Sequence, residues 1–341
     1  MRTMGAAAQC RSRAAQFIGS RHMKLGIFTA LFAQLSLDDV IKKIKPLGIQ
    51  AVELGTGNYP GDPHLKLDWL NQPAKLKEVK QQLEDAGITI SALSCHGNPL
   101  HPNKGIAKAH DETQRKTILL AEKLGVSRII DFSGCPGDSD DSKYPNWVTC
   151  PWPPDFLKIL EWQWEKKGIP FWKKRAKFAA DHGVRICLEM HPGFIVYSPE
   201  TLLRLRGAAG PSLGCNFDPS HLFWQGIDPC AAVRGLGEAI FHVNAKDTRI
   251  YENNSRVNGV LDTKAYGNVK TRSWLFRTVG YGHGADFWTD FVSTLQMVGY
   301  DDVLSIEHED SLMSTEEGQT KAAGFLTQVL IKEKIKAMWW V

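Results

Sequence analysis

Four stretches of this chain repeat one phrase: PLGIQAVELG (46–55), AGITISALSCHG (86–97), LGVSRIIDFSG (124–134) and HGVRICLEMHPG (182–193). In each stretch a glycine follows the end of a helix-like segment, and an apolar run follows the glycine. Glycine suits the end of a helix because it enters the left-handed region without strain. The apolar runs lack strict alternation, which is typical of parallel strands buried on both faces. The phrase therefore predicts alternating helices and buried parallel strands.

Further strand-like runs occupy residues 24–32, 212–220, 239–247 and 302–310, which makes eight in all. Helical signals lie between them. Ser36 and Ser198 can cap helices, Pro73 suits a first helical turn, and Phe287 begins an apolar stripe. Eight alternating units predict an α/β fold, a single (β/α)8 TIM barrel over residues 23–335, followed by a C-terminal tail at 336–341. The competing open, doubly wound sheet usually has a glycine-rich phosphate loop after its first strand, and none follows here.

The amino-acid composition favours a soluble globular protein over a nucleic-acid-binding or membrane-spanning one. Of the 341 residues, 43% are hydrophobic and 23% are charged, which is ordinary for a soluble globular chain. The net charge of +4 equals the four arginines of residues 1–22, so the rest is neutral, and this argues against a nucleic-acid partner. There is no run of 18 apolar residues, and this argues against a membrane span. The seven cysteines form no CxxC pair, so we expect buried thiols in a reducing, cytoplasmic setting.

Residues 1–22 are a separate segment. They contain arginine, alanine and serine but no acid, as transit peptides do. We favour the alternative that they are a disordered or misassigned leader before a start at Met23.

Two long loops are predicted, one after the fourth strand (135–172) and one after the seventh (248–284). The first loop holds five tryptophans, at positions 147, 152, 162, 164 and 172. Long loops at the C-terminal face of a barrel are usually lids or substrate walls, although the tryptophans could equally form a small hydrophobic core. The second loop holds four arginines and the sequence GYGHG (280–284), which we interpret as a turn that positions His283. It is not interpreted as a dinucleotide loop because it does not join a strand to a helix in the required way.

The predicted C-terminal ends of the strands are rich in metal-ligand side chains. Glu189, Asp218 and Glu307 come at the ends of the fifth, sixth and eighth strands. Buried together, their like charges would repel, and a divalent cation would remove that cost. Carboxylate ligands predict one divalent metal ion, Mn2+, Mg2+ or Co2+. Three histidines at nearby strand ends can either contact a substrate or make structural hydrogen bonds: His96, His191 and His221.

The stretches LEMHPG (188–193), NFDPSHL (216–222), FHVNAKD (241–247) and SIEHED (305–310) resemble the sugar phosphate isomerase/epimerase family of the xylose-isomerase-like barrel superfamily. The resemblance covers essentially residues 23–335. It implies that Glu189, Asp218 and Glu307 are metal ligands, and it puts His221 where the family often contacts substrate. The family usually has a histidine ligand on the seventh strand, where this chain has Asn244. Either Asn244 ligates through its carbonyl, or His242 on the same strand face replaces it, or the metal is held more weakly.

Together these features predict a metal-dependent isomerase or epimerase of a sugar or related polyhydroxy carbonyl compound. Glu189 and Glu307 are the candidate general bases. One of them would remove a proton from carbon, and the metal would stabilise the enediolate that results. Arg249 joins the three histidines as a candidate for binding substrate. The partner expected is a small sugar-like molecule, and a homo-oligomer is left open.

Three other functions stay open at this point. The first is a dehydratase acting on a cyclic polyol ketone, which also begins with proton abstraction. The second is a non-catalytic sugar-binding barrel. The third is a phosphodiesterase of the endonuclease type, which is disfavoured because the fourth strand ends Asp131-Phe-Ser-Gly without a histidine and because the chain after residue 22 is neutral.

Overall fold

The computed structural model describes residues 23–333 and residue 340. The predicted leader (1–22) therefore lies outside the described residues, and so does the predicted tail (336–341) apart from Trp340. None of the helices in the described part of the chain is long and apolar enough to cross a membrane.

Strands and helices alternate along the chain as the repeated phrase predicts. The strands are β1 (Lys24–Phe28), β2 (Ala51–Gly55), β3 (Thr89–Ser94), β4 (Arg128–Phe132), β5 (Arg185–Glu189), β6 (Leu213–Phe217), β7 (Ile240–Ala245), β8 (Asp247–Ile250), β9 (Trp274–Arg277) and β10 (Val303–Ile306). The helices are α1 (Leu37–Ile44), α2 (Pro73–Asp85), α3 (Lys104–Leu124), α4 (Asp155–Trp162), α5 (Ile169–Asp181), α6 (Pro199–Ala209), α7 (Ser220–Phe223), α8 (Pro229–Leu236), α9 (Glu252–Asn258), α10 (Ala285–Met297) and α11 (Thr315–Val329).

Eight of the strands form a closed parallel barrel in the order β1-β10-β7-β6-β5-β4-β3-β2, with β1 paired to β2. The prediction of a single (β/α)8 barrel is confirmed. The local sequence signals for helix starts and helix ends are also found in the structure. The Ser36 side chain accepts a hydrogen bond from the Asp39 amide at the start of α1. Gly48 and Gly125 have φ values of 75° and 72° directly before β2 and β4, where a side chain would strain the backbone.

The segment after β4 is only partly a loop. Its second half is helical, because α4 runs through a π-helical turn (Gln163–Gly168) into α5. Trp164 and Trp172 are fully buried in the main hydrophobic core, whereas Trp152 is 74% exposed. The five tryptophans therefore form neither one wall nor one separate core.

The segment after β7 carries secondary structure of its own. β8 and β9 pair as an antiparallel ribbon, with α9 in the connection between them. In a small hydrophobic cluster, Trp274 and Phe276 of the ribbon pack with Trp224, which follows α7. The Trp224 and Trp274 rings stack with centroids 4.7 Å apart. The ribbon is thereby fixed to the barrel at the edge where β6 and β7 end.

Candidate active site

Three acidic residues meet at the C-terminal end of the barrel. Glu189 is the last residue of β5, Asp218 follows β6 directly, and Glu307 follows β10 directly. Because parallel strands all end at the same face, these side chains are brought together, and a carboxylate oxygen from each lies within 4.8 Å of the others. Glu189 and Asp218 are 2% and 1% exposed. We refer to these three residues as the acidic cluster.

Two histidines surround the Glu189 carboxylate. His96 Nε2 lies 3.1 Å from Oε2, and His221 Nε2 lies 3.1 Å from Oε1. Burial alone would raise the pKa of Glu189, but the hydrogen bonds to His221 and His96 outweigh it and hold that pKa well below its usual range. Burial alone would lower the pKa of His96, but its bond to Glu189 and the nearby carboxylates raise it to about 9. Glu189 therefore stays ionised at neutral pH.

Lys246 provides the positive charge nearest to Glu307. Its Nζ lies 3.0 Å from Glu307 Oε1, 2.7 Å from Glu309 Oε2 and 3.7 Å from Asp218 Oδ2. Burial raises the pKa of Glu307 well above its ordinary value, and the attraction of Lys246 only partly offsets this. Glu307 Oε2 is buried without a hydrogen-bond partner. One ammonium is therefore shared among several carboxylates, and one oxygen is left unsatisfied.

These features fit a divalent cation. Two buried carboxylates and the partly buried Glu307 repel one another, and the unpartnered Oε2 of Glu307 is an available ligand atom. An all-oxygen donor set of this kind suits hard divalent ions. Glu189, His191 and His221 also have ligand atoms within 4.8 Å of one another, so a nitrogen donor is within reach of the same place.

A cavity of about 430 Å3 opens onto the acidic cluster. Glu189, Glu307, His96, His191 and Lys246 line it on the polar side. The remaining lining residues are Phe28, Ala30, Ala33, Tyr59, Pro60, Phe132 and Glu309. The cavity thus offers both charged groups and aromatic faces, a combination common in small-molecule sites. None of the five tryptophans of 135–172 is among its lining residues, so the expected substrate wall does not form there.

The three predicted histidines all lie close to this cavity. His96 and His191 line it, and His221 lies directly behind Glu189, where its Nε2 is also 3.3 Å from Asp218 Oδ2. The rings of His191 and His221 are 4.0 Å apart between centroids. The three histidines therefore lie beside the acidic cluster, and their role in binding a substrate stays a prediction.

The structure does not bring the expected fourth ligands to the acidic cluster. The Asn244 amide Nδ2 donates to Glu53 Oε2 at 2.9 Å, and Asn244 Oδ1 accepts from Asn216 Nδ2. His242 Nδ1 is 2.8 Å from Asn216 Oδ1. Both residues are completely buried inside the barrel, where polar side chains of neighbouring strands satisfy them. In this structure Asn244 and His242 thus bond to other side chains of the barrel, and their assignment as metal ligands stays a prediction.

Arg249 is also placed differently from the prediction. It lies on β8 and lines a separate cavity of about 710 Å3 with Lys270 and His283. Its guanidinium donates to the carbonyl of Gly282 at 3.1 Å. The GYGHG turn wraps around Asp247, whose Oδ1 is 2.8 Å from His283 Nδ1. The turn does position His283, but it does so away from the acidic cluster, and Arg249 is not among the residues lining the cavity there.

Sequence reasoning missed Glu53 and gave Lys246 no role. Glu53 lies in the middle of β2 and is completely buried. An acid in the otherwise apolar run Ala51–Gly55 was a signal for an interior polar site, because a carboxylate is rarely buried without a purpose. Tyr59 and Phe132 were also missed, and nothing local in the sequence indicates that they line a cavity.

The comparisons with known proteins agree with the barrel fold. The family described as xylose isomerase-like TIM barrel matches residues 41–329. The uncharacterized protein YfiH of Bacillus subtilis is 44% identical over 312 residues, which are 90% of this chain and 99% of that protein. Among solved structures, D-psicose 3-epimerase in the presence of D-fructose matches with a TM-score of 0.60 at 14% identity, covering 90% of this chain and 98% of that one. IolI protein with a bound zinc atom matches with a TM-score of 0.60 at 17% identity and the same coverage.

Proposed function

The chain belongs to the xylose isomerase-like TIM barrel family, and on that premise we propose that it is a divalent-metal-dependent isomerase or epimerase of a sugar or a related polyhydroxy carbonyl compound. The observation that supports the proposal most strongly is the acidic cluster, of which Glu189 and Glu307 line the 430 Å3 cavity and one buried oxygen of Glu307 is unsatisfied. The epimerase that shares this fold and the zinc found in IolI protein support the same reading.

Glu189, Asp218 and Glu307 would hold the metal, with Mn2+, Mg2+ or Co2+ as the ions that suit carboxylate ligands. When bound, the cation would act as a Lewis acid that lowers the free energy of the negative charge on the substrate oxygens.

Glu189 and Glu307 are the proposed general bases. Both line the cavity and approach it from different strands, so each can face a different side of a bound molecule. The two carboxylates also differ electrostatically. The pKa of Glu189 is lowered by its histidines and that of Glu307 is raised by burial, an arrangement that separates a proton acceptor from a proton donor. One carboxylate, when ionised, can take the proton from carbon and keep it, while the other, when protonated, can deliver its own proton to the opposite face of the same carbon, which inverts the configuration.

Other side chains would bind and orient the substrate. His96 and His191 present ring nitrogens at the cavity, and the Lys246 ammonium can donate to a carbonyl or hydroxyl oxygen. Phe28, Tyr59 and Phe132 would cover the carbon skeleton and keep water away from the intermediate.

Exchange of substrate C–H protons with deuterated water tests this proposal. We expect NMR to show exchange in a keto-sugar only when Mn2+, Mg2+ or Co2+ is present. Glu307→Gln should reduce the rate by about 10²–10⁴-fold, the usual contribution of a general base. Glu200→Gln, on the exposed side of α6, is the matched control and should keep the parent rate. Metal-independent exchange, or full activity of Glu307→Gln, would refute the mechanism, and loss of water instead of exchange would identify a dehydratase.

A further inference from the structure

A chain of hydrogen bonds runs through the barrel interior beneath the acidic cluster and begins at Glu53. This carboxylate accepts from the hydroxyl of Ser94 at 2.5 Å, from the hydroxyl of Ser305 at 2.9 Å and from the amide of Asn244 at 2.9 Å. Glu53 and Asn244 are both 0% exposed, so bulk solvent does not reach these bonds. Glu53 lies on β2 and its three partners lie on β3, β7 and β10, so the network links opposite sides of the barrel.

The chain continues through two amides to a carboxylate of the acidic cluster. Asn244 Oδ1 accepts from Asn216 Nδ2, and the same Nδ2 donates to Glu189 Oε2 at 3.2 Å. Asn216 Oδ1 faces His242 Nδ1 at 2.8 Å. Asn244 turns its NH2 group towards Glu53 and its carbonyl towards Asn216, and a carboxylate at position 53 fits this order because it can only accept. Asn216 must then turn its own NH2 group towards Asn244 and Glu189.

We propose that Asn244 is a positioning residue and not a metal ligand: it transmits the orientation set by Glu53 through Asn216 to the Glu189 carboxylate. The role of Glu189 itself rests on the proposed function. Both ends of the Asn244 amide are already hydrogen-bonded inside the barrel, so its carbonyl is held by Asn216. With the two amides oriented in this way, Asn216 donates a hydrogen bond to Glu189 Oε2, and Glu189 Oε1 is hydrogen-bonded to His221.

The donor-to-acceptor order of these hydrogen bonds requires a side chain at position 244 that both donates and accepts a hydrogen bond. Asn244→Asp would remove the donor and put two carboxylates in contact in a site closed to bulk solvent, where ionising both is strongly disfavoured. If Asn244 were a metal ligand, the same substitution would add a charged oxygen ligand and would strengthen metal binding. The two roles therefore predict opposite effects for one substitution.

Glu53→Gln combined with Asn244→Asp should restore the hydrogen bond between positions 53 and 244. The donor is then at position 53 and the acceptor at position 244, the reverse of the parent. The amide of the new Gln side chain can donate to the new Asp side chain, which still accepts from Asn216, and the network again holds one charge. Glu53→Gln alone is the matched control, because its carbonyl can keep accepting from Asn244 while its amide meets the hydroxyl of Ser94.

The experiment measures two quantities for the parent, both single variants and the double variant at neutral pH: the melting temperature without metal, and the Mn2+ affinity by calorimetry. We expect Asn244→Asp to melt about 5 °C or more below the parent, and Glu53→Gln to stay within about 3 °C. We expect Asn244→Asp to bind Mn2+ about 10–100-fold more weakly, as when a partner that orients a ligand is lost. The double variant should recover more than half of both losses.

Each possible result of this experiment either supports or refutes the positioning role of Asn244. If Asn244→Asp keeps its melting temperature or binds Mn2+ as tightly as the parent, Asn244 does not position Glu189 and the proposal is wrong. Failure of the double variant to improve on Asn244→Asp also overturns it. If Asn244→Asp does not fold, recovery of folding in the double variant supports the proposal, and its absence refutes it. If the parent binds no divalent metal, the proposed function fails, whereas the melting temperatures still test the order of the hydrogen bonds.

Discussion

Asp131 at the end of β4 is a buried carboxyl group whose protonation should make stability depend on pH. It is 0% exposed, and its Oδ1 accepts from the amides of Gly97 and Phe132, both at 2.7 Å. Burial raises its pKa from 3.8 to about 7, despite these bonds and the hydrogen bond from Gln114 to Oδ2. We predict that Asp131→Asn removes this pH dependence.

The sign follows from proton linkage. Between pH 4 and pH 7 the folded protein keeps a proton on Asp131 that the unfolded chain has released. The stabilisation from this proton is fully present below pH 3.8 and is lost as the pH rises towards 7. At about 1.36 kcal/mol per pKa unit, the total is about 4 kcal/mol, and about 2–3 kcal/mol of it falls between pH 5 and pH 8.

Asparagine suits this position. Its Oδ1 can keep both backbone bonds, and its Nδ2 would face Gln114, whose Oε1 is buried without a partner and could accept after the amide turns. The free energy of unfolding of Asp131→Asn, relative to the parent, should therefore rise by about 2–3 kcal/mol between pH 5 and pH 8.

Urea unfolding followed by tryptophan fluorescence at pH 5, 6, 7 and 8 measures this difference. Asp68→Asn, at an exposed position, is the control and should show the same pH dependence as the parent. A difference between Asp131→Asn and the parent that is constant over pH, or that shrinks towards pH 8, would refute the reasoning.

Three further predictions concern the site and the core. Chelation with EDTA should stop proton exchange in a keto-sugar, and Mn2+ should restore it; exchange that continues in EDTA contradicts a metal-dependent step. Lys246→Met removes the ammonium shared by the carboxylates, so Mn2+ should raise the melting temperature more in this variant than in the parent, and an equal rise would argue against a shared charge. Leu188→Ala, at a completely buried position of β5, should lower the free energy of unfolding by about 2–5 kcal/mol, whereas Leu312→Ala, at a 52% exposed position, should cost far less; similar losses in chemical denaturation would contradict the packing argument.

The repeated phrase was sufficient to predict the barrel because its information is local. A glycine such as Gly125 ends a helix for steric reasons, and an unbroken apolar run such as that of β5 indicates a strand covered on both faces. Once eight such units are counted, chain connectivity requires every strand to end at the same face. Glu189, Asp218 and Glu307 could therefore be grouped from their positions at strand ends alone.

The sequence could not determine how the interior side chains pair across the barrel. Asn244 lies near a strand end and was predicted to be a metal ligand. The orientation of its side-chain amide depends on Glu53, which is 191 positions away in the sequence. Arg249 stands only five residues after Asn244, yet β8 carries it into a different cavity. Strand ends are fixed by local preference and connectivity, whereas hydrogen-bond partners depend on which side chains the closed barrel brings within about 3 Å, and only the tertiary structure decides that.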